Sequence, residues 1–171
     1  MDNLDRGQVD NETDEMRRAR EEILAKAPPP TFFKLRAQML KDGRSDQQVA
    51  KADFLSARVK VYASGGENGL HTHTGEDHMH IVMQGSACFF GPHGEEAHVG
   101  QYEGVMLPRG AFYRFQCTSK EPLVLLRVAA RRLDGANGRI NVYGKPLPGE
   151  SDENGKLPPV PVPGVFWGAK A

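Results

Sequence analysis

Residues 71–80, His-Thr-His-Thr-Gly-Glu-Asp-His-Met-His, contain four of the six histidines of this 171-residue chain, together with two carboxylates. Imidazole is a good ligand for zinc, copper, nickel and iron. Two histidines one residue apart can direct both side chains to the same side of a strand. A histidine-rich polar loop, or a group of buried hydrogen-bonded histidines, is the alternative interpretation. The density and spacing favour a metal site.

Short apolar segments surround this stretch, and glycine and proline separate them. Residues 57–63 alternate between polar and apolar side chains, which is the period of a half-buried strand. Further strands are predicted at residues 78–84, 87–90, 98–102, 104–107, 113–117 and 123–129. Many short strands without intervening helices indicate an all-β domain, either an antiparallel barrel or a sandwich.

The two ends of the chain have different patterns. From residue 11 or 13 to residue 27 the apolar side chains recur at helical spacing, and three prolines at 28–30 end the predicted helix. Residues 31–40 fit a strand better than a helix, with a turn expected at 41–44. The tail is rich in glycine and proline but carries Trp167 and other apolar residues, so we expect an extended arm. The predicted organisation is an N-terminal extension (1–30), a barrel (31–132) and an arm on the barrel or on a partner subunit (133–171).

The amino-acid composition limits the kinds of binding partner that can be expected. The 22 basic and 22 acidic residues balance, which removes any global electrostatic argument for binding nucleic acid or an anionic membrane. There is no apolar run of membrane-spanning length and no secretory signal at the N-terminus, so we expect a cytoplasmic protein. Cys88 and Cys117 lie in apolar segments without metal-binding spacing and are expected to be free thiols. A small molecule is the expected ligand.

The central block, residues 59–128, resembles the cupin superfamily. The first motif of that family is a glycine, five residues, His-x-His, three or four residues, a glutamate, six residues and a glycine. Gly65, His71, His73, His78 and Gly85 keep this spacing, with histidine in place of the glutamate. The resemblance implies a double-stranded β-helix (jelly-roll) barrel with a metal inside it. Divalent transition metals are the expected cofactors, Fe(II) first and Zn, Ni or Mn as alternatives.

The second cupin motif ends in Pro-x-Gly-x-x-His. Here Pro108 and Gly110 are kept, but Tyr113 stands where the fourth ligand of the family would be. Tyr113 can ligate the metal as phenolate, act beside the metal as a hydrogen-bond donor or general acid/base, or simply pack. We favour the second role and treat Tyr113 as a candidate catalytic residue.

The identity of the third ligand determines which face of its strand looks inward. If His78 is the ligand, His80, Val82 and Gln84 share its face, whereas a three-residue gap would make Asp77 the ligand and reverse the faces. The six-residue count back from Gly85 favours His78. The metal ligands are therefore predicted to be His71, His73 and His78.

Further residues are candidates for contact with a substrate. His80 would lie about 7 Å beyond His78 along the strand, within reach of a bound molecule, or it is a buried hydrogen-bonded histidine. Arg127 can clamp a carboxylate if it faces inward, but an outward arginine at the barrel rim is the expected orientation. Phe115 and Gln84 complete the predicted substrate-binding set.

These features predict a metal-dependent cupin enzyme that acts on a small oxygen-rich or aromatic organic molecule. Dioxygenase chemistry is favoured over lyase or isomerase chemistry, because a three-histidine site leaves positions for substrate and dioxygen on Fe(II). A non-catalytic cupin that binds or senses a small molecule is the alternative. An outward row of Met79, Ile81 and Met83, with the apolar tail and the N-terminal helix, predicts a homodimer.

Overall fold

The computed structural model of the chain describes residues 12–64, 68–132, 138–147 and 158–170. The chain divides into two compact units, residues 1–32 and residues 33–171. In the first unit, helix α1 spans Asp14–Lys26. The Thr13 side chain caps it by accepting a hydrogen bond from the Met16 amide, and the prolines at 28–30 follow its end. No residue of α1 is buried, and no described helix is long and apolar enough to span a membrane.

The second unit is built from antiparallel strands. Its described strands are β1 (Arg36–Lys51), β2 (Leu55–Ser64), β3 (His71–His73), β4 (Glu76–Gln84), β5 (Ala87–Phe90), β6 (Glu96–Val99), β7 (Gly104–Leu107), β8 (Arg114–Cys117), β9 (Leu123–Arg131), β10 (Arg139–Asn141) and β11 (Val160–Gly168). Six of them form a sheet in the order β11-β1-β2-β9-β4-β7, three form the sheet β6-β5-β8, and β10 pairs with β3. This is the all-β arrangement that the sequence predicts.

The sheets enclose a core of large apolar side chains. Tyr62, Phe89, Phe115 and Leu125 belong to one buried cluster between the sheets. A second cluster lies where β1, β2 and β9 meet, and Met83 and Trp167 pack against it. The predicted apolar row on the outer face of β4 is therefore partly covered.

The described parts of the C-terminal arm, residues 138–147 and 158–170, contain strands, as an extended arm predicts. Strand β11 pairs with β1, with Trp167 opposite Ala37. Earlier in the arm, β10 pairs with β3, so Arg139 lies opposite His73. The arm thus contributes a strand beside the histidine-rich stretch.

Two local predictions were wrong. No turn interrupts residues 41–44, because β1 continues to Lys51; a bulge there is accommodated by Gly43, whose φ is 73°. The strand predicted at 98–102 ends at Val99, since Tyr102 adopts a left-handed φ of 68° in the turn before β7.

Candidate metal site

Strands β3 and β4 carry the histidines into the barrel. Along β4 the side chains alternate, so Glu76, His78 and His80 are buried whereas Asp77 is exposed. The Asp77 carboxylate accepts a hydrogen bond from the Arg109 amide at 2.7 Å. The residues of β4 that face inward are therefore those expected if His78 is the ligand, and Asp77 lies on the opposite face of the strand.

The two sequence motifs meet through their backbones. His71 and Tyr113 exchange both backbone hydrogen bonds, at 3.1 and 2.9 Å. The Tyr113 hydroxyl and His78 Nε2 share a hydrogen bond of 3.1 Å. Tyr113 is thereby held next to two of the predicted ligands, although 42 and 35 residues separate it from them in sequence.

Two pairs of histidine rings in this group lie close enough to share a ligand. Ring centroids are 5.3 Å apart for His71 and His73, and 4.6 Å apart for His73 and His78. Tyr113 lies 4.7 Å from His71 and 5.5 Å from His78 by the same measure. An imidazole bonded through nitrogen at 2.0–2.1 Å has its centroid about 3.2 Å from the metal, so two ligand rings lie about 4.5 to 5.5 Å apart. The His71–His73 and His73–His78 separations fit this range.

Hydrogen bonds fix which nitrogen of two histidines carries the proton. His71 Nδ1 lies 2.7 Å from the Gly69 carbonyl oxygen, and His73 Nδ1 lies 2.8 Å from a Glu76 carboxylate oxygen. Both partners are acceptors, so each Nδ1 donates and each Nε2 keeps its lone pair. His71 Nε2 is buried and has no hydrogen-bond partner. A metal ion would satisfy it.

Burial keeps these histidines neutral. Desolvation lowers the pKa of His71 to about 4. Desolvation and the charge of Arg127 lower the pKa of His78 to about 3, and desolvation also lowers the pKa of His73. Near pH 7 all three imidazoles are therefore unprotonated, which is the state in which histidine binds a metal.

Glu76 and Arg127 form a buried ion pair beside the histidines. Burial alone would raise the pKa of Glu76, but the hydrogen bond from His73 and the charge of Arg127 together lower it to about 2. No role is predicted for Glu76 from the sequence, because a carboxylate at the start of a strand looks the same whether it faces solvent or orients a histidine. Carboxylates bonded to the second nitrogen of a ligating histidine are common around metal sites.

The structure and the sequence indicate two overlapping sets of possible metal ligands. His73, Glu76 and His78 have donor atoms within 4.8 Å of one another; the sequence predicts His71 in place of Glu76. The carboxylate of Glu76 already binds Arg127 and His73, whereas the buried Nε2 of His71 has no hydrogen-bond partner. The structure thus groups His73 and His78 with Glu76, whereas His71, which the sequence predicts as a ligand, is not part of that group.

A cavity of about 1020 Å³ gives access to this group. His73, Glu76, Tyr113 and Arg127 are among its lining residues. The volume is that of a site for a small organic molecule. Arg127 faces inward, as its proposed role in substrate binding requires, but its guanidinium is held by Glu76.

Five candidate residues lie outside this lining: the predicted ligands His71 and His78, and also His80, Phe115 and Gln84. His80 is buried beneath His78, with ring centroids 5.4 Å apart, and neither of its nitrogens has a partner. Phe115 packs in the core, and Gln84 donates to the Pro122 carbonyl oxygen at 3.0 Å. Gln84 follows His78 by six residues, about 20 Å along an extended strand, which explains why a shared face does not bring it to the site.

Comparisons with known proteins concern the fold. The sequence matches no protein-family model and no curated protein. The structure is similar to that of KdgF from Halomonas sp., with a TM-score of 0.51 and 20% identity over 62% of this chain and 98% of that chain. It is also similar to the cupin domain of Cnp3 from Schizosaccharomyces pombe, with a TM-score of 0.50 and 13% identity over 60% of this chain and 90% of that chain. The chain therefore has the double-stranded β-helix fold of the cupin superfamily, as its two motifs predict.

Proposed function

We propose that this chain is a metal-dependent enzyme that acts on a small organic molecule bound in the cavity. His71, His73 and His78 would hold a divalent transition metal. One observation carries the proposal: three neutral imidazoles and a tyrosine lie side by side, and two members of this row, His73 and Tyr113, line a large cavity. Three neutral ligands would leave the full charge on the metal, which would polarise an oxygen of the substrate as a Lewis acid.

Tyr113 supports a reaction that involves proton transfer. Burial raises the pKa of its phenol well above the usual range, so the hydroxyl keeps its proton near pH 7. It also lines the cavity, where it can donate that proton to a bound molecule. A lyase or an isomerase, in which a proton moves on or off the substrate, uses a group of this kind directly. We therefore place this class of reaction first.

Dioxygenase chemistry is the second candidate. The observation in its favour is the ligand set itself, because imidazoles suit Fe(II) and three of them leave positions for substrate and dioxygen. Oxygen uptake by the Fe(II)-loaded protein in the presence of substrate distinguishes the two classes. A lyase or isomerase consumes no oxygen.

Metal analysis of the purified protein is the first test. We expect wild-type protein and His93→Ala to retain metal after dialysis, and His78→Ala to lose it. His93 is the matched control, since it is an exposed histidine outside the site. Equal metal content in the two variants would contradict the assignment of His78.

Turnover is the second test. Metal-loaded protein is incubated with a panel of small hydroxy and oxo acids, and products are followed by NMR. We expect Tyr113→Phe to retain metal but to lose about 100-fold or more in turnover. Tyr143→Phe, which changes an exposed tyrosine, is the control. Binding of metal and ligand without turnover would identify a sensing or binding protein and would contradict the catalytic proposal.

The expected homodimer stays a prediction. Exposed apolar side chains on β11, including Val165 and Phe166, support an interface there. Light scattering coupled to size-exclusion chromatography measures the oligomeric state directly.

A further inference from the structure

Tyr62 on β2 is a buried tyrosine whose hydroxyl has no hydrogen-bond partner within the described part of the chain. The residue is 2% exposed, and its ring packs edge-on against Phe115, with the two centroids 5.1 Å apart. Buried tyrosines usually find a partner for the hydroxyl. Because Tyr62 also lines the large cavity, a molecule bound there can supply the missing partner.

Asn68 is a second buried donor on the wall of the same cavity, and it is 8% exposed. Arg44 donates a hydrogen bond to its side-chain oxygen. This bond fixes the orientation of the amide, because a guanidinium can only donate and must face the oxygen. The NH2 group of Asn68 accordingly lies on the other side of the amide, and it has no acceptor among the described residues. Asn68 therefore has the same unmet requirement as Tyr62.

Arg44 connects these two residues. On β1 it lies directly opposite Tyr62 on β2, and directly opposite residues of an antiparallel pair project their side chains from the same face. The Arg44 guanidinium reaches Asn68, which precedes His71 by three residues. Tyr62 and Asn68 thus belong to one region of the cavity wall, beside the segment that carries the histidines.

Two neutral donors without acceptors suit the oxygen atoms of a ligand. A phenol O–H and a primary amide N–H can each donate to a lone pair of a carbonyl or hydroxyl oxygen. An apolar group placed against them would leave both donors unmatched, which costs free energy. A site of this kind therefore discriminates against an analogue that lacks the oxygen.

We propose that Tyr62 and Asn68 form a subsite for an uncharged oxygen atom, a carbonyl or a hydroxyl, of the molecule bound in the cavity. This inference rests on the proposed function and adds two specificity-determining residues to its site. The role of both residues is to bind and orient the molecule by donating hydrogen bonds to that oxygen.

Titration of the metal-free protein with pyruvate and with isobutyrate, followed by NMR chemical shifts, tests this inference. The two anions have the same charge and nearly the same shape, but the keto oxygen of pyruvate is a methyl group in isobutyrate. We expect wild-type protein to bind pyruvate about three- to tenfold more tightly. Tyr62→Phe and Asn68→Asp should each lower this ratio towards one. Asn68→Asp keeps an oxygen for Arg44 but removes the donor, and its added charge acts on both anions alike.

Tyr102→Phe, which changes an exposed tyrosine outside the cavity lining, is the control and should keep the wild-type ratio. Without ligand, Tyr62→Phe should have a Tm equal to or above that of wild-type protein, because it loses a hydroxyl that has no partner. Equal affinity of wild-type protein for the two anions, including no measurable binding of either, would overturn the inference. An unchanged ratio in both variants, or a lower Tm in Tyr62→Phe, would overturn it as well.

The test does not depend on the metal. The titrations use metal-free protein, and Tyr62→Phe that has been loaded and dialysed should retain as much metal as wild-type protein. A failure of metal binding or of turnover would contradict the proposed function and leave the ratio of affinities unchanged. Equal affinities would contradict only the oxygen subsite.

Discussion

Replacing Glu76 with glutamine should destabilise the metal-free protein by about 3 kcal/mol. The change keeps the size of the side chain but removes the charge that balances Arg127, and both side chains are less than 10% exposed. The pKa of Glu76 falls from 4.5 to about 2, and each pKa unit corresponds to about 1.36 kcal/mol, which gives about 3 kcal/mol. Removing one partner of a buried ion pair typically costs about 3–5 kcal/mol, in agreement with this value.

Urea denaturation at pH 7 in the presence of a chelator measures the effect. For a chain of this length a loss of about 3 kcal/mol corresponds to a decrease of about 6–12 °C in Tm. Glu76→Gln combined with Arg127→Met should recover part of the loss, because the double variant leaves no unpaired buried charge. A loss below about 0.5 kcal/mol in Glu76→Gln, or strict additivity in the double variant, would refute the reasoning.

Two other predictions concern stability. The metal-free protein should lose stability as the pH falls from 6.5 to 5. In this range the histidines of the unfolded chain bind protons, whereas His71 and His78 of the native protein, with pKa values of about 4 and 3, stay neutral. Each of these two histidines should therefore lower the free energy of unfolding by about 1.4 kcal/mol per pH unit. Urea titrations over this range test the slope, which should become shallower in His71→Gln but not vanish, because burial also lowers the pKa values of His73, His78 and His80; a flat profile in the wild-type protein would contradict the low pKa values. Gly168→Ala should lower the free energy of unfolding by at least about 1 kcal/mol more than Gly164→Ala does. Both glycines have a positive φ, but only at Gly168 would an added Cβ collide with backbone atoms, those of Leu35. Equal unfolding free energies for the two variants would show that β11 is not held as described.

The sequence predicted most of the strands because burial in this fold alternates with period two. Along β4 the buried residues are Glu76, His78, His80 and Val82, and the last three are those that the motif spacing indicates. The spacing of the first motif also located the histidines, since a strand and a short turn set the distance between them. Local patterns of this kind depend only on neighbouring residues and can therefore be recognised in the sequence.

Contacts between distant residues were not predictable in the same way. The pairing of β10 with β3 brings Arg139 to His73 across more than 60 residues, and no local pattern indicates it. The ion pair of Glu76 and Arg127 spans 51 residues and reverses the expectation of a rim arginine.

The most direct test of the metal site compares bound metal in His71→Ala and Glu76→Gln. The two donor sets share His73 and His78 and differ only at these positions. Both variants and wild-type protein are loaded with the same metal, dialysed, and analysed by inductively coupled plasma mass spectrometry. We predict that His71→Ala loses the metal, whereas Glu76→Gln retains it with an affinity lowered by about 10–100-fold, as expected for a residue that orients a ligand. Retention by His71→Ala together with complete loss from Glu76→Gln would contradict the three-histidine site.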